Sequence, residues 1–91
     1  MTELAFTKNV SEWETEEIWV DADFIINLTF DDTERKDNEI AIWRSLTGQD
    51  WALAWRKDTN DSVFEKTFTG VGSGTYVKIA TRNQPKSGYY A

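Results

Sequence analysis

The stretch DFIINLTF, residues 23–30, alternates large apolar side chains with smaller or polar ones, and it decides the fold class. One set of alternate positions holds Phe24, Ile26, Leu28 and Phe30, and the other holds Ile25, Asn27 and Thr29. Successive side chains of a β-strand point to opposite faces, so a period of two is typical of a strand with one face in a core. Residues 23–30 are therefore predicted to form such a strand.

The same period of two recurs along the rest of the chain. Further strands are expected at 39–45, 51–57 and 75–81, with shorter ones near 4–8, 17–21, 63–68 and 88–90. Polar or glycine-containing turns separate them at 31–38, 46–50, 58–62, 70–74 and 83–87. Seven or eight short strands without a long amphipathic helix predict an all-β fold. We expect a single antiparallel two-sheet β-sandwich, Ig-like or jelly-roll-like, that spans residues 1–91 as one domain.

A local helical signal occurs at residues 11–17. Ser11 is followed three residues later by Glu14, which fits a capping box. The segment could therefore begin as a single helical turn. Such a turn would leave the predicted fold class unchanged.

The composition excludes most compact active sites. The 91 residues include no cysteine and no histidine, which excludes disulfides, thiolate zinc sites, cysteine nucleophiles and histidine-containing triads. Sixteen acidic residues could supply a carboxylate pair for glycoside hydrolysis, but a domain of this size leaves little room for the cleft between them. We expect no catalytic residues, no cofactor and no enzymatic activity.

Two local patterns could bind a ligand, and each has a simpler interpretation. Gly70, Gly72 and Gly74 resemble a phosphate-binding loop, but a strand is predicted to follow them, which favours a turn. Four acidic residues of one loop could hold calcium through their oxygens: Asp31, Asp32, Glu34 and Asp37. Their spacing is not that of an EF-hand and two basic residues interrupt them. A solvated loop is favoured and no metal site is predicted.

The formal charge of −6 is unevenly distributed along the chain. Residues 1–40 carry twelve acidic and three basic side chains, whereas residues 41–91 carry four acidic and seven basic ones. An acidic surface repels phosphates, so no nucleic-acid partner is expected. No stretch resembles a signal peptide or a membrane span, so no membrane partner is expected either. The asymmetry serves solubility, or it attracts copies that pack side by side.

The five tryptophans divide into two groups by the faces of their predicted strands. Trp51 and Trp55 share a face with Leu53, which predicts that they lie in the core. The candidate interaction surface consists of the other three, which point away from core positions or stand among carboxylates: Trp13, Trp19 and Trp43. Tryptophan is enriched at protein interfaces. The alternative is that sheet edges or the second sheet bury these rings.

Several motifs, most of them in the second half, together resemble one group of proteins. They are IAIWRSLTGQDW at 40–51, the strand at 64–68, GTYVKI at 74–79 and SGYY at 87–90, with a looser likeness at 23–30. In these motifs a strand that ends in Arg-Ser leads through a glycine turn to a tryptophan strand. The pattern resembles small β-sandwich virion proteins, similar to head decoration proteins, of tailed bacteriophages and prophages. The resemblance implies a structural role in many copies and supplies no catalytic residues.

Two functions of different classes follow from these observations. The first is a structural virion protein, a capsid decoration or cement protein, whose partners are other virion proteins of the capsid or tail and copies of itself. It would be made in the host cytoplasm and located in the virion, and a tail or baseplate position fits equally. The second is a small carbohydrate-binding module. In that case the three rings of the candidate interaction surface stack on a glycan while nearby carboxylates accept hydrogen bonds from its hydroxyls.

Overall fold

The computed structural model describes residues 1–31, 37–69 and 74–91 of the chain. These residues form ten short strands and no helix. The strands are β1 (Thr2–Glu3), β2 (Thr7–Asn9), β3 (Glu12–Glu14), β4 (Ile18–Val20), β5 (Phe24–Thr29), β6 (Ile40–Ser45), β7 (Ala52–Lys57), β8 (Val63–Phe68), β9 (Thr75–Thr81) and β10 (Ser87–Tyr90). The predicted glycine turn lies outside the described residues except for Gly74.

The strands form two antiparallel sheets, which confirms the predicted fold class. One sheet has four strands in the order β1-β10-β5-β8. The other has six, in the order β2-β3-β9-β6-β7, with β4 paired to β9 on the side that β3 also occupies. The described chain has ten strands rather than seven or eight, because residues 1–20 form four short strands and change sheet between β1 and β2.

The core lies between the two sheets and is built from their alternate positions. Strand β5 contributes Phe24, Ile26 and Leu28, all of which are buried, as the alternation at residues 23–30 predicts. The six-stranded sheet contributes Ile40, Ile42, Val77 and Ile79, each fully buried. The stacked rings of Phe24 and Phe68, with centroids 5.2 Å apart, lie at one end of this core.

The expected helical turn at residues 11–17 is wrong. Glu12–Glu14 is a strand that forms a hairpin with Thr7–Asn9, and it also pairs with β9. Pairing on both sides satisfies the backbone hydrogen bonds of this segment, which outweighs a single favourable capping pattern. The tight turn of the hairpin holds Val10 at a positive φ of 57°.

A β-bulge between β6 and β7 changes which side chains of β7 face the core. Ile42 lies opposite Trp55, but the next residue, Trp43, lies opposite Leu53 rather than Ala54. The extra residue puts Trp55 on the core side and Leu53 on the solvent side. Leu53 is 47% exposed. The prediction that Trp55 shares a face with Leu53 is therefore wrong, whereas Trp55 packs against the core as predicted.

Thr15 holds the break between β3 and β4 against the central strand β9. Its backbone N–H donates to the carbonyl of Ile79 at 3.0 Å, and its Oγ1 accepts a hydrogen bond from the N–H of Ile79 at 3.1 Å. The Thr15 side chain thus supplies a hydrogen-bond acceptor for the N–H of Ile79 at the point where the chain is interrupted between β3 and β4. Thr15 is 4% exposed, so water cannot replace this bond.

Replacing Thr15 by valine tests this contact, because valine keeps the shape and removes the hydroxyl. We expect Thr15→Val to lower the free energy of unfolding by about 1–3 kcal/mol, since the N–H of Ile79 loses its acceptor inside the protein. Chemical denaturation followed by tryptophan fluorescence measures the change. The matched control is Thr67→Val on the exposed side of β8, for which a change within about 0.5 kcal/mol is expected. Equal effects at the two positions would contradict this role of Thr15.

Candidate functional site

The solvent side of the six-stranded sheet, here called the outer face, is defined by the register of its strands. Directly opposite residues of antiparallel strands lie on the same face. One row across the sheet is Glu14, Ala80, Ala41 and Arg56. The next row is Lys78, Trp43 and Leu53, and the third is Trp19, Tyr76 and Ser45. Since Ile42, Val77 and Ile79 point into the core, these rows point outwards.

Aromatic side chains occupy much of the outer face. The rings of Trp19 and Tyr76 meet edge to face with centroids 5.0 Å apart, and Trp19 is 54% exposed. The Lys78 Nζ lies 4.7 Å from the centroid of the Trp51 ring, which places that half-buried ring beside the second row. The prediction that Trp51 lies in the core is therefore wrong. Trp51 precedes the bulge, so its side chain shares the outward orientation of Leu53.

The structure brings together two of the three predicted interaction residues. Trp19 and Trp43 lie on the outer face. Trp13 does not, because it pairs with Thr81, whose side chain belongs to the core-facing set of β9. Its half-buried ring lies beneath the ammonium of Lys8, 5.8 Å from the ring centroid. The face also includes Tyr76, Leu53 and Trp51, which the sequence analysis did not assign to it.

A groove borders the outer face where the chain breaks between β3 and β4. Its volume is about 530 Å³, and its lining comprises Thr7, Glu14, Thr15, Glu16, Glu17 and Lys78. The break places Glu16 and Glu17 beside Lys78, since Thr15 bonds to Ile79 and Ile18 lies opposite Val77. The Glu17 carboxylate also packs against the turn at Gly48, where a Cβ would meet it at 3.3 Å. Carboxylates and one ammonium group thus line one flank of the aromatic surface.

Charged side chains neutralise one another at the end of the outer face where β6 begins and β9 ends. The Glu39 carboxylate accepts hydrogen bonds from Arg56, at 2.8 Å, and from Arg82. Arg82 also donates to Asp37 at 2.6 Å. Partial desolvation lowers the pKa of Arg82, but the carboxylates of Asp37 and Glu39 outweigh it, so its pKa lies above the ordinary value. These pairs join the acidic first half of the chain to the basic second half.

The acidic loop provides no metal centre in the described part of the chain. Asp32 and Glu34 lie outside the described residues, and Asp37 is paired with Arg82. The described residues contain no group of three or more acidic or other ligating side chains that could hold a metal ion. Because two of the four residues Asp31, Asp32, Glu34 and Asp37 lie outside the described part of the chain, the expectation of a solvated loop there stays a prediction.

The edges of the two sheets carry features that discourage pairing with another strand. β4 is only three residues long, and β7 contains the bulge. On the edge strand β8, Lys66 lies opposite the core residue Ile26 and places its Nζ 5.3 Å from the centroid of the Trp55 ring. Short edge strands, bulges and inward-pointing charges all oppose strand addition.

Comparison of the chain with protein-family models, with characterised proteins and with solved structures finds no match. No helix in the described residues could cross a membrane.

Two tryptophan variants test how much an aromatic side chain of the outer face contributes to the free energy of unfolding. We expect Trp19→Ala to lower the free energy of unfolding by at most about 1.5 kcal/mol, the size of one aromatic pair. We expect Trp55→Ala to cost at least about 3 kcal/mol, because that ring contacts Phe64 and Phe68 inside the sandwich. Denaturant titration of both variants gives the comparison. Equal losses would show that Trp19 is held as firmly as a core residue.

Proposed function

We propose that this chain is a non-enzymatic structural protein of a tailed-phage virion, a capsid decoration or cement protein that is present in many copies. It acts by protein–protein association through the outer face. Its partners are other virion proteins and further copies of itself, and its place is the virion after synthesis in the host cytoplasm. The motifs at 40–51, 74–79 and 87–90 support the virion assignment through their resemblance to phage proteins of this kind.

The observation that carries the proposed association is a group of four large apolar side chains from the second and third rows of the outer face. Trp19 and Leu53 are about half exposed, and Trp43 and Tyr76 lie between them on neighbouring strands. A contiguous apolar patch of this kind marks an interaction site in soluble proteins. Tryptophan and tyrosine also supply much of the binding energy at protein interfaces. A hydrogen-bonded sheet is suited to contact with another protein surface, because its ordered backbone loses little conformational entropy on binding.

Purified particles of the phage or prophage that carries this gene provide the test. We expect quantitative mass spectrometry to find the protein in many copies per particle, and electron cryomicroscopy to show a sandwich on the particle surface. Trp19→Ala combined with Trp43→Ala should strongly reduce the number of copies, because both rings leave the proposed contact.

The matched control for that experiment is Ile25→Ala. Ile25 is an apolar residue that is 43% exposed on β5 of the four-stranded sheet, away from the outer face. This variant should be incorporated normally. Absence of the wild-type protein from purified particles would sink the virion role, and equal incorporation of all variants would remove the outer face from it.

A carbohydrate-binding function is the second candidate, and the groove beside Lys78 favours it. Glu14, Glu16 and Glu17 could accept hydrogen bonds from sugar hydroxyls, while the neighbouring Trp51 and Trp43 rings offer apolar surfaces. The volume of about 530 Å³ lies within the range of small-molecule sites. Trp13 takes no part in this arrangement, since it lies away from the outer face.

A glycan array probed with the purified chain tests this second candidate. Under it, we expect binding to at least one oligosaccharide and a loss of that binding in Trp43→Ala and in Glu17→Gln. Trp13→Ala serves as the control and should bind normally. Binding that survives the replacement of Trp13, Trp19 and Trp43 together would remove the sugar-stacking role, as would a lack of binding to every glycan.

A further inference from the structure

The row Glu14–Ala80–Ala41–Arg56 crosses the outer face, with one residue from each of four neighbouring strands. A carboxylate stands at one end, a guanidinium at the other, and two methyl groups lie between them. The alanines are 3% and 6% exposed, because their short side chains lie below those of their neighbours. The row thus carries opposite charges at its two ends, with two covered methyl groups between them.

We infer that the outer face pairs with the same face of a second copy of this chain, around a two-fold axis that runs parallel to the strands between β9 and β6. This inference rests on the outer face being the association surface of the proposed function. An interface of this kind is isologous, so each contact occurs twice. The axis exchanges the positions of β9 and β6, and those of β3 and β7, while each row stays level with itself.

The charges become complementary in this arrangement. Glu14 of one copy meets Arg56 of the second copy, and the same pair forms again on the other side of the axis. The Arg56 guanidinium is 53% exposed and uses its Nη2 for Glu39, so it keeps donors for a second carboxylate. Glu14 lies half-buried at the groove, where the Asn9 amide holds its Oε1 at 3.1 Å. Both partners are therefore already positioned at the ends of the row.

The two inner strands contribute apolar and cation–π contacts. The axis passes over Ala80 and Ala41, whose covered methyl groups leave the contacts in this region to the taller side chains around them. Lys78 meets Trp43 of the second copy in the next row. The Lys78 ammonium already lies over an aromatic ring within its own chain, that of Trp51 at 4.7 Å. A second ring on the opposite side suits a cation that is held in this way.

Charge selects this orientation over the alternative. A two-fold axis perpendicular to the strands would place β3 on β3 and β7 on β7, so that carboxylates would face carboxylates and guanidinium groups would face each other. Like charges in contact across an interface are unfavourable. The molecule measures 38 × 26 × 20 Å, and its broad side can supply the roughly 800 Å² per partner of a specific interface. The second copy is thus the occupant that the charge pattern fits.

Sedimentation velocity of the purified full chain tests the inference at micromolar concentrations. We expect a dimer that dissociates as salt is added. Glu14→Arg and Arg56→Glu should each weaken the dimer at least about tenfold, since each variant creates two like-charge contacts around the axis. The double variant should recover the dimer, because both charges are exchanged within one chain. An equimolar mixture of the two single variants should form a one-to-one heterodimer.

Matched charge reversals away from the outer face serve as controls. Glu3→Arg and Lys86→Glu lie on or beside the four-stranded sheet and should dimerise like the wild type. A chain that stays monomeric, or a dimer that tolerates both single reversals, would overturn the inference. A monomer that still attaches to purified particles overturns the pairing and leaves the virion role intact. A charge-sensitive dimer that is absent from particles supports the pairing and overturns the virion role.

Discussion

The pairing of β9 on both of its sides is the constraint on which the rest of the structure depends. β6 occupies one side along six residues, and β3 with β4 occupies the other. Because both sides are hydrogen-bonded, the alternation along β9 is fixed, with Val77 and Ile79 in the core and Tyr76 and Lys78 in solvent. A shift of one residue would bury the Lys78 ammonium and expose two fully buried apolar side chains. The apolar core therefore determines the outer face as well.

The bulge in β7 determines which large apolar side chains of this strand segment lie in the core. The extra residue, Ala54, lets Trp55 pack on Phe64 and Phe68 while Leu53 and Trp51 turn away from the core. A regular strand would have placed all three on one face. The core then has a single tryptophan at this position, and the outer face gains apolar surface beside Trp43. A local irregularity thus divides the apolar side chains of one strand between the core and the outer face.

The sequence predicted the fold class because alternation is a strong local signal at 23–30 and 75–81, where the structure has β5 and β9. The turn at 46–50, which joins the paired strands β6 and β7, was also predicted from local turn chemistry. The bulge could not be predicted, because it reflects the pairing of two strands rather than the pattern of either one. The helical turn at 11–17 failed for the same reason: a capping pattern is local, whereas the pairing of Glu12–Glu14 with β9 joins distant parts of the chain. These two long-range pairings explain why Trp13 was included and Trp51 was missed.

The contrast between the edges and the outer face bears on the proposed association. Edge protection by the inward Lys66, the bulge and the short β4 opposes unspecific growth of the sheets. If the outer face were only a surface that needed to stay soluble, charged side chains among the aromatic rows would serve the same purpose. Among the aromatic rows the charged side chain is Lys78, which lies over the Trp51 ring, whereas Glu14 and Arg56 stand at the two sides of the face. A largely apolar centre with a charged margin is the organisation of a protein interface, and in the proposed pairing the opposite charges of the two margins meet across the two-fold axis.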